Sequence, residues 1–261
     1  MDWRCDLCGR KRYRTLSPFI IQCRECSLVA TYPQPADQEL QERYGTNYYA
    51  GWNGAGGRAR LWSERLKIVQ KAVRSGRLLD MGCGSGEFLK TARQAGFDAA
   101  GTEFSARART LIQDGPVYKS PEEATGLWDA ITLWHVLEHA PSPRELLKQT
   151  YAKLRAGGWL FIAVPNVNSH WFDIVYRCLK GKKNELYTPE AKEPHLFHFS
   201  SQTLRRYLES SSFTVRAQGL DVPDYADFRK RWVDGPARLW FHLTGINWAS
   251  THLIIARKKD G

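Results

Sequence analysis

Beyond residue 77, short apolar runs alternate with segments whose apolar residues recur every three or four positions, the signature of strands interleaved with helices. Leu78-Leu79-Asp80-Met81 predicts a buried strand and Glu87 to Gln94 a helix. Phe97 to Thr102 predicts the next strand, Ala106 to Gln113 a helix, and Pro116 to Tyr118 a short strand. Trp128 to Trp134 predicts a long buried strand. Ser142-Pro143-Arg144-Glu145 caps a helix running to about Leu154, and Arg155-Ala156-Gly157-Gly158 turns into a strand over Trp159 to Val164. A helix over Ser201 to Ser211 and strands over Phe213 to Leu220 and Thr251 to Arg257 follow. This order implies an α/β fold: a mostly parallel sheet with right-handed crossovers and helices on both faces.

The first strand runs into Gly82-Cys83-Gly84-Ser85-Gly86, so that an acid, Asp80, precedes three glycines at alternate positions and a helix follows. Such a turn lets a ligand approach the backbone closely. A dinucleotide fingerprint would place its third glycine at Glu87, and a phosphate loop would end in Gly-Lys-Ser/Thr; neither is present. Glu103 stands at the end of the second strand, seventeen residues beyond Gly86, where an acid in an open parallel sheet reaches ribose hydroxyls.

These residues resemble the first motif of class I S-adenosylmethionine (SAM) methyltransferases, acid-x-Gly-x-Gly-x-Gly. The resemblance implies a Rossmann-like seven-stranded sheet whose last strand is antiparallel. It also implies SAM contacts at Asp80, Gly82, Cys83, Gly84, Gly86, Glu103 and Phe104, and at the backbone near Trp134 and His135. Ser120 to Glu122 fall where such enzymes contact the adenine edge.

The run from Trp128 to Val164, then Pro165-Asn166 and His195-Leu196-Phe197-His198-Phe199-Ser200, is similar to a narrower group. That group includes ubiquinone-pathway O-methyltransferases and enzymes of sugar, polysaccharide and natural-product pathways, several of which begin with a four-cysteine zinc ribbon. The resemblance spans most of residues 1–220 and implies methyl transfer to a small-molecule or carrier-linked acceptor, with oxygen favoured over nitrogen or carbon. The ubiquinone enzymes carry Glu-x-x-Glu-His as a metal site, where this chain has His135-x-x-Glu138-His139. On a helix those three positions share one face. His135, just beyond the fourth strand, is the first candidate for a general base, with His139, His195 and His198 behind it.

Two other function classes compete: an RNA-directed methyltransferase and a SAM-binding protein without catalysis. Against the first, Trp134-His135-Val136-Leu137 lacks the Asn/Asp-Pro-Pro-aromatic turn of base-amino methyltransferases, and there is no Pro-Cys nucleophile for cytosine.

The amino end is a cysteine framework. Cys5-x2-Cys8, fourteen residues, then Cys23-x2-Cys26 presents four thiolates able to close a tetrahedral structural zinc site, with redox cysteines or empty knuckles as the alternatives. The organisation expected is a ribbon over 1–32, a linker or lid over 33–57 and a SAM-binding domain over 58–261 with insertions at 167–194 and 221–250. Tyr48 and Tyr49, in a glycine-rich run, read either as surface linker or as a lid over the cofactor.

The formal charge of +11 is concentrated in part between Arg58 and Arg77, with seven basic residues and one acid. That is the solvated face of an amphipathic helix whose Leu61, Trp62, Leu66, Val69 and Val73 pack inward, or a seat for an anionic partner. Trp232, Trp240, Phe241 and Trp248 fit core, pocket wall, dimer contact or membrane-surface anchor. With no leader-like apolar run and no membrane-spanning stretch, a soluble cytoplasmic protein is expected.

Overall fold

The computed structural model describes residues 3–36, 39–40, 58–181, 185–188, 194–222 and 228–259. At the amino end β1 (Tyr13–Ser17), β2 (Ile20–Cys23) and β3 (Val29–Thr31) form an antiparallel ribbon. Its fourth strand comes from far along the chain: β9 (Phe197–His198) pairs with β3, with Val29 opposite His198 and Ala30 opposite Phe197.

The main sheet begins with β4 (Arg77–Met81), preceded by α1 (Ala59–Gln70) and followed by α2 (Glu87–Gln94). Then come β5 (Asp98–Thr102), α3 (Ala106–Thr110), β6 (Val117–Tyr118), β7 (Trp128–Trp134), α4 (Pro143–Lys153) and β8 (Leu154–Pro165). The remaining elements are α5 (His170–Lys180), α6 (Ser201–Ser210), β10 (Phe213–Gly219), α7 (Phe228–Thr244) and β11 (Thr251–Lys258). Spatially the seven strands run β10-β11-β8-β7-β4-β5-β6. The five from β4 to β8 are parallel, and β11 enters antiparallel between β8 and β10. Strand order reverses between β4 and β7, and a crevice opens beyond the carboxyl ends of strands at such a point.

Side chains alternate across this sheet. Leu79, Met81, Ile131, Leu133, Leu160 and Ile162 share one core with Leu147 of α4 and Leu204 of α6. Leu78, Ala130, Phe161 and Ala163 face the other way, onto Leu66 and Val69 of α1 and Phe88 and Leu89 of α2. The first core continues without a break into the ribbon through Leu7, Ile21, Leu28, Ala30, Phe197 and Phe199. Among the described residues no helix is long and apolar enough to cross a membrane.

Several sequence expectations need correction. Helix α3 stops at Thr110 instead of Gln113, because Leu111 and Ile112 turn back in tight i to i−3 bonds on Ala108 and Arg109. The turn expected at Arg155–Gly158 lies within β8, where an irregularity between Trp128 and Ala130 absorbs it. The segments expected as insertions carry helices α5 and α7. The basic face of α1 is not wholly solvated, because Arg65 is only 3% exposed.

Candidate functional site

Beyond Met81 the chain passes through Gly82, Gly84 and Gly86 with φ of +72°, +55° and +79°, a region in which only glycine is unstrained. The loop is clamped to the end of β5, since the N–H groups of Gly82 and Cys83 both donate to the carbonyl of Thr102, at 2.8 and 2.9 Å. Glu103 then organises the far side. Its Oε2 accepts from the Gly84 N–H at 3.0 Å and its Oε1 from the Ser105 N–H at 2.8 Å. Asp80 sits opposite Thr132 on β7 and accepts its hydroxyl proton at 2.6 Å. Burial pushes the Asp80 carboxyl up to about 7, against the pull of Thr132 and Arg65.

These groups open onto a cavity of about 1130 Å³. Phe104, half exposed, lines it together with Lys119, Ser120, Pro121 and the buried Trp134 and Cys83. Glu122 does not reach it; its carboxylate accepts instead from Gln149 on α4. Tyr48 and Tyr49, the lid candidates, lie outside the described residues.

The opposite wall is built by residues from four distant segments. His135 leaves β7 at φ +58°, a left-handed conformation uncommon for a residue with a β-carbon and typical of strained functional turns. A 3₁₀ turn over Leu137–His139 follows, so residues 135, 138 and 139 do not share one α-helical face as expected. The His135 ring lies between two carboxylates: Nδ1 is 3.4 Å from Glu138 Oε1 and Nε2 is 3.4 Å from Asp221 Oδ2. Burial opposes its charging, but Asp221 and Glu138 outweigh burial and hold its pKa above the ordinary value. Asp221 also receives the guanidinium of Arg65, which lies over the Trp134 ring at 4.7 Å. Burial would raise the Asp221 carboxyl; Arg65 and His135 bring it down to about 2.

Glu138 is 1% exposed, and neither of its carboxylate oxygens has a directed hydrogen bond. Burial works against its charge, and the surrounding histidines reverse the effect, leaving the group below its usual range. His139 places Nε2 at 4.0 Å from Glu138 Oε1, while its Nδ1 is 3.1 Å from the Pro194 carbonyl. A carbonyl only accepts, so Nδ1 carries a proton and Nε2 is the nitrogen turned toward Glu138. The His195 ring is 4.9 Å from that of His139, and burial pushes its pKa down to about 4. Ligand atoms of Glu138, His139 and His195 all lie within 4.8 Å of one another. The metal-capable trio therefore exchanges His135, suggested by the linear motif, for His195. His198 is set back against Thr31, with Nε2 3.2 Å from the threonine hydroxyl, and burial holds its pKa near 3.

A family profile described as "Methyltransferase domain" matches residues 55–218. The chain belongs to this methyltransferase domain family. Among curated proteins it is similar to the ubiquinone biosynthesis O-methyltransferase of Bordetella avium (strain 197N), 28% identical over 124 residues, covering 41% of this chain and 52% of the relative. The enzyme of the same name from Chromobacterium violaceum is 26% identical over 120 residues, covering 40% and 52%. The chain thus spans about half the length of the curated relatives it matches. In fold it is similar to Burkholderia thailandensis 1,6-didemethyltoxoflavin-N1-methyltransferase, solved with bound 1,6-didemethyltoxoflavin and S-adenosylhomocysteine: TM-score 0.59, 17% identity, covering 95% of this chain and 100% of that one. It also resembles the magnesium protoporphyrin IX methyltransferase of Synechocystis PCC 6803: TM-score 0.57, 11% identity, covering 86% and 100%.

At the amino end of this methyltransferase-family chain the four ribbon cysteines converge. Cys5 Sγ lies 3.4 Å from Cys26 Sγ, Cys8 Sγ lies 3.5 Å from Cys23 Sγ, and all four sulfurs fall within 4.8 Å of one another. A tetrahedron with Zn–S arms of about 2.3 Å has edges of roughly 3.8 Å, so the donor set and its size both fit zinc. Cys83 and Cys178 belong to no such group among the described residues.

Arg65, Asp221 and Thr31 escaped the reading of the family motifs. Arg65 did carry a signal. Leu61, Arg65 and Val69 are spaced four apart, so this arginine stands in the middle of an apolar stripe and needs a buried partner. Asp221 and Thr31 carried none.

Proposed function

We propose that this protein transfers the methyl group of SAM to a hydroxyl of a small-molecule acceptor. One observation carries the reading: a single cavity is lined both by the glycine turn with Asp80 and Glu103 and by Glu138, His139 and His195. The first set suits a cofactor with an ammonium group and a ribose diol; the second offers a lone pair and a negative charge to an acidic proton. The methyltransferase family match and the O-methyltransferase relatives support the same reading.

In the transfer, the acceptor oxygen forms its bond to the methyl carbon as the carbon–sulfur bond breaks, and the cofactor leaves as a neutral thioether. Alignment does most of the work, and the hydroxyl proton must go to the protein. Both nitrogens of His135 face carboxylates, so this ring serves as a charged strut between Glu138 and Asp221. We assign the proton to the Glu138–His139–His195 group, received at Nε2 of His139. The Glu138 carboxylate, which has no directed hydrogen bond, together with two imidazoles also fits a divalent cation, which when bound would lower the pKa of an acceptor hydroxyl. Cys5, Cys8, Cys23 and Cys26 would hold a structural zinc whose four thiolates leave no open position.

The test is incubation of the purified protein with methyl-labelled SAM and separate small-molecule, lipid-linked and RNA pools. Label appearing as an alkali-stable methyl ether in the small-molecule pool is expected. Label confined to RNA, or none in any pool, refutes the reading.

A further inference from the structure

We propose that the cysteine ribbon is a working part of the acceptor half of the site, with Thr31 as the residue through which it positions His195 and His198. This rests on the functional reading above for its catalytic consequence, but not for its structural content.

Strand β9 is only two residues long and, among the described residues, pairs in its ladder with β3 alone. So short a strand does not hold itself in place. The ribbon supplies several of its supports. The Thr31 N–H donates to the Leu196 carbonyl at 3.0 Å, and the Thr31 hydroxyl lies 2.6 Å from the His195 carbonyl. Because a carbonyl only accepts, the single hydroxyl proton goes to His195, and the hydroxyl oxygen must in turn accept from His198 Nε2. One fully buried side chain thereby anchors the backbone of one histidine and sets the tautomer of the other. Leu196 N–H then donates to the Glu138 carbonyl at 2.8 Å, joining β9 to the turn that carries Glu138 and His139.

The ribbon is itself braced against the catalytic domain. Asp6, between Cys5 and Cys8, accepts from the Ser142 hydroxyl at 2.6 Å, the Arg144 N–H at 3.0 Å and the Tyr207 hydroxyl at 2.9 Å. Arg206 reaches the Cys26 carbonyl. Both knuckles are therefore tied to the domain, and β3 stands between them and the site.

The experiment compares Thr31→Val, Thr31→Ser and Thr31→Ala in the full chain by amide hydrogen exchange, zinc content, SAM calorimetry and methyl transfer to the labelled pool. Thr31→Val should keep its zinc and bind SAM within about twofold of wild type, while amides of residues 195–199 exchange at least about tenfold faster and transfer falls by a similar factor. Thr31→Ser should restore both. Serine and alanine lack the same methyl group and differ only in the hydroxyl. Equal exchange in those two variants overturns the proposal, even where Thr31→Val does not fold. If wild type methylates nothing, the functional reading fails, and the exchange comparison still decides this one.

Discussion

Arg65 and Asp221 stand 156 positions apart in the chain and form a buried, two-pronged ion pair in the wall of the cavity, with side chains 4% and 2% exposed. Arg65 comes from the helix before the glycine turn and Asp221 from the start of the second insertion. Their pairing fastens the chain at Asp221 into the wall of the cavity opposite the glycine turn. Removing one partner leaves a buried charge without its main counter-charge, so Arg65→Met or Asp221→Leu should each cost about 3–5 kcal/mol in chemical denaturation. The double variant should recover most of that loss. A double variant as unstable as the sum of the singles would contradict the pairing.

Asp80 should make SAM binding depend on pH. Its folded pKa is raised to about 7 from 3.8, so its share of apo stability is fully present below pH 3.8 and is lost as pH rises through 7. A cationic ligand favours the ionised carboxylate. SAM affinity measured calorimetrically should therefore rise between pH 6 and 8, and the slope should vanish in Asp80→Asn. An unchanged slope in that variant assigns the proton elsewhere.

Gly101 is required by packing and not by its dihedral angle. A β-carbon there would lie 2.5 Å from Cys83 Sγ and 2.7 Å from Leu89 Cδ1, pressing the floor of the glycine turn upward. Gly101→Ala should cost about 1–3 kcal/mol and weaken SAM binding, and Cys83→Ala should restore part of the loss. Thermal melts with and without SAM measure both.

His135 and His139 separate by kinetics. His139→Ala should lower methyl transfer by at least about a hundredfold with SAM binding intact. His135→Gln keeps two polar ends between Glu138 and Asp221 and should lose less. The opposite ranking would return the proton-accepting role to His135.

Elemental analysis should find about one zinc per chain, lost in a Cys5→Ser, Cys8→Ser double variant. Because the ribbon core is continuous with the main core, this loss should also disturb residues 195–199, as seen by hydrogen exchange. Full metal retention in the double variant would place the metal elsewhere.

The glycine turn, the acid at the end of β5, the alternation of strands with helices and the two cysteine knuckles were legible in the sequence because each depends on spacing within a few residues or one helical turn. Backbone periodicity and turn chemistry act at that range. How the wall facing the glycine turn is assembled was decided by tertiary structure. Arg65 meets Asp221, Thr31 meets His198 across 167 positions, and His139 meets Pro194 across 55. A linear motif suggested His135 as a companion ligand to Glu138 and His139, whereas the left-handed turn at His135 swings that ring toward Asp221 and the ribbon brings His195 in its place. Local pattern specifies which elements form. Which distant side chains share a buried space follows only from how those elements pack, because burial makes each charge depend on whatever partner arrives beside it.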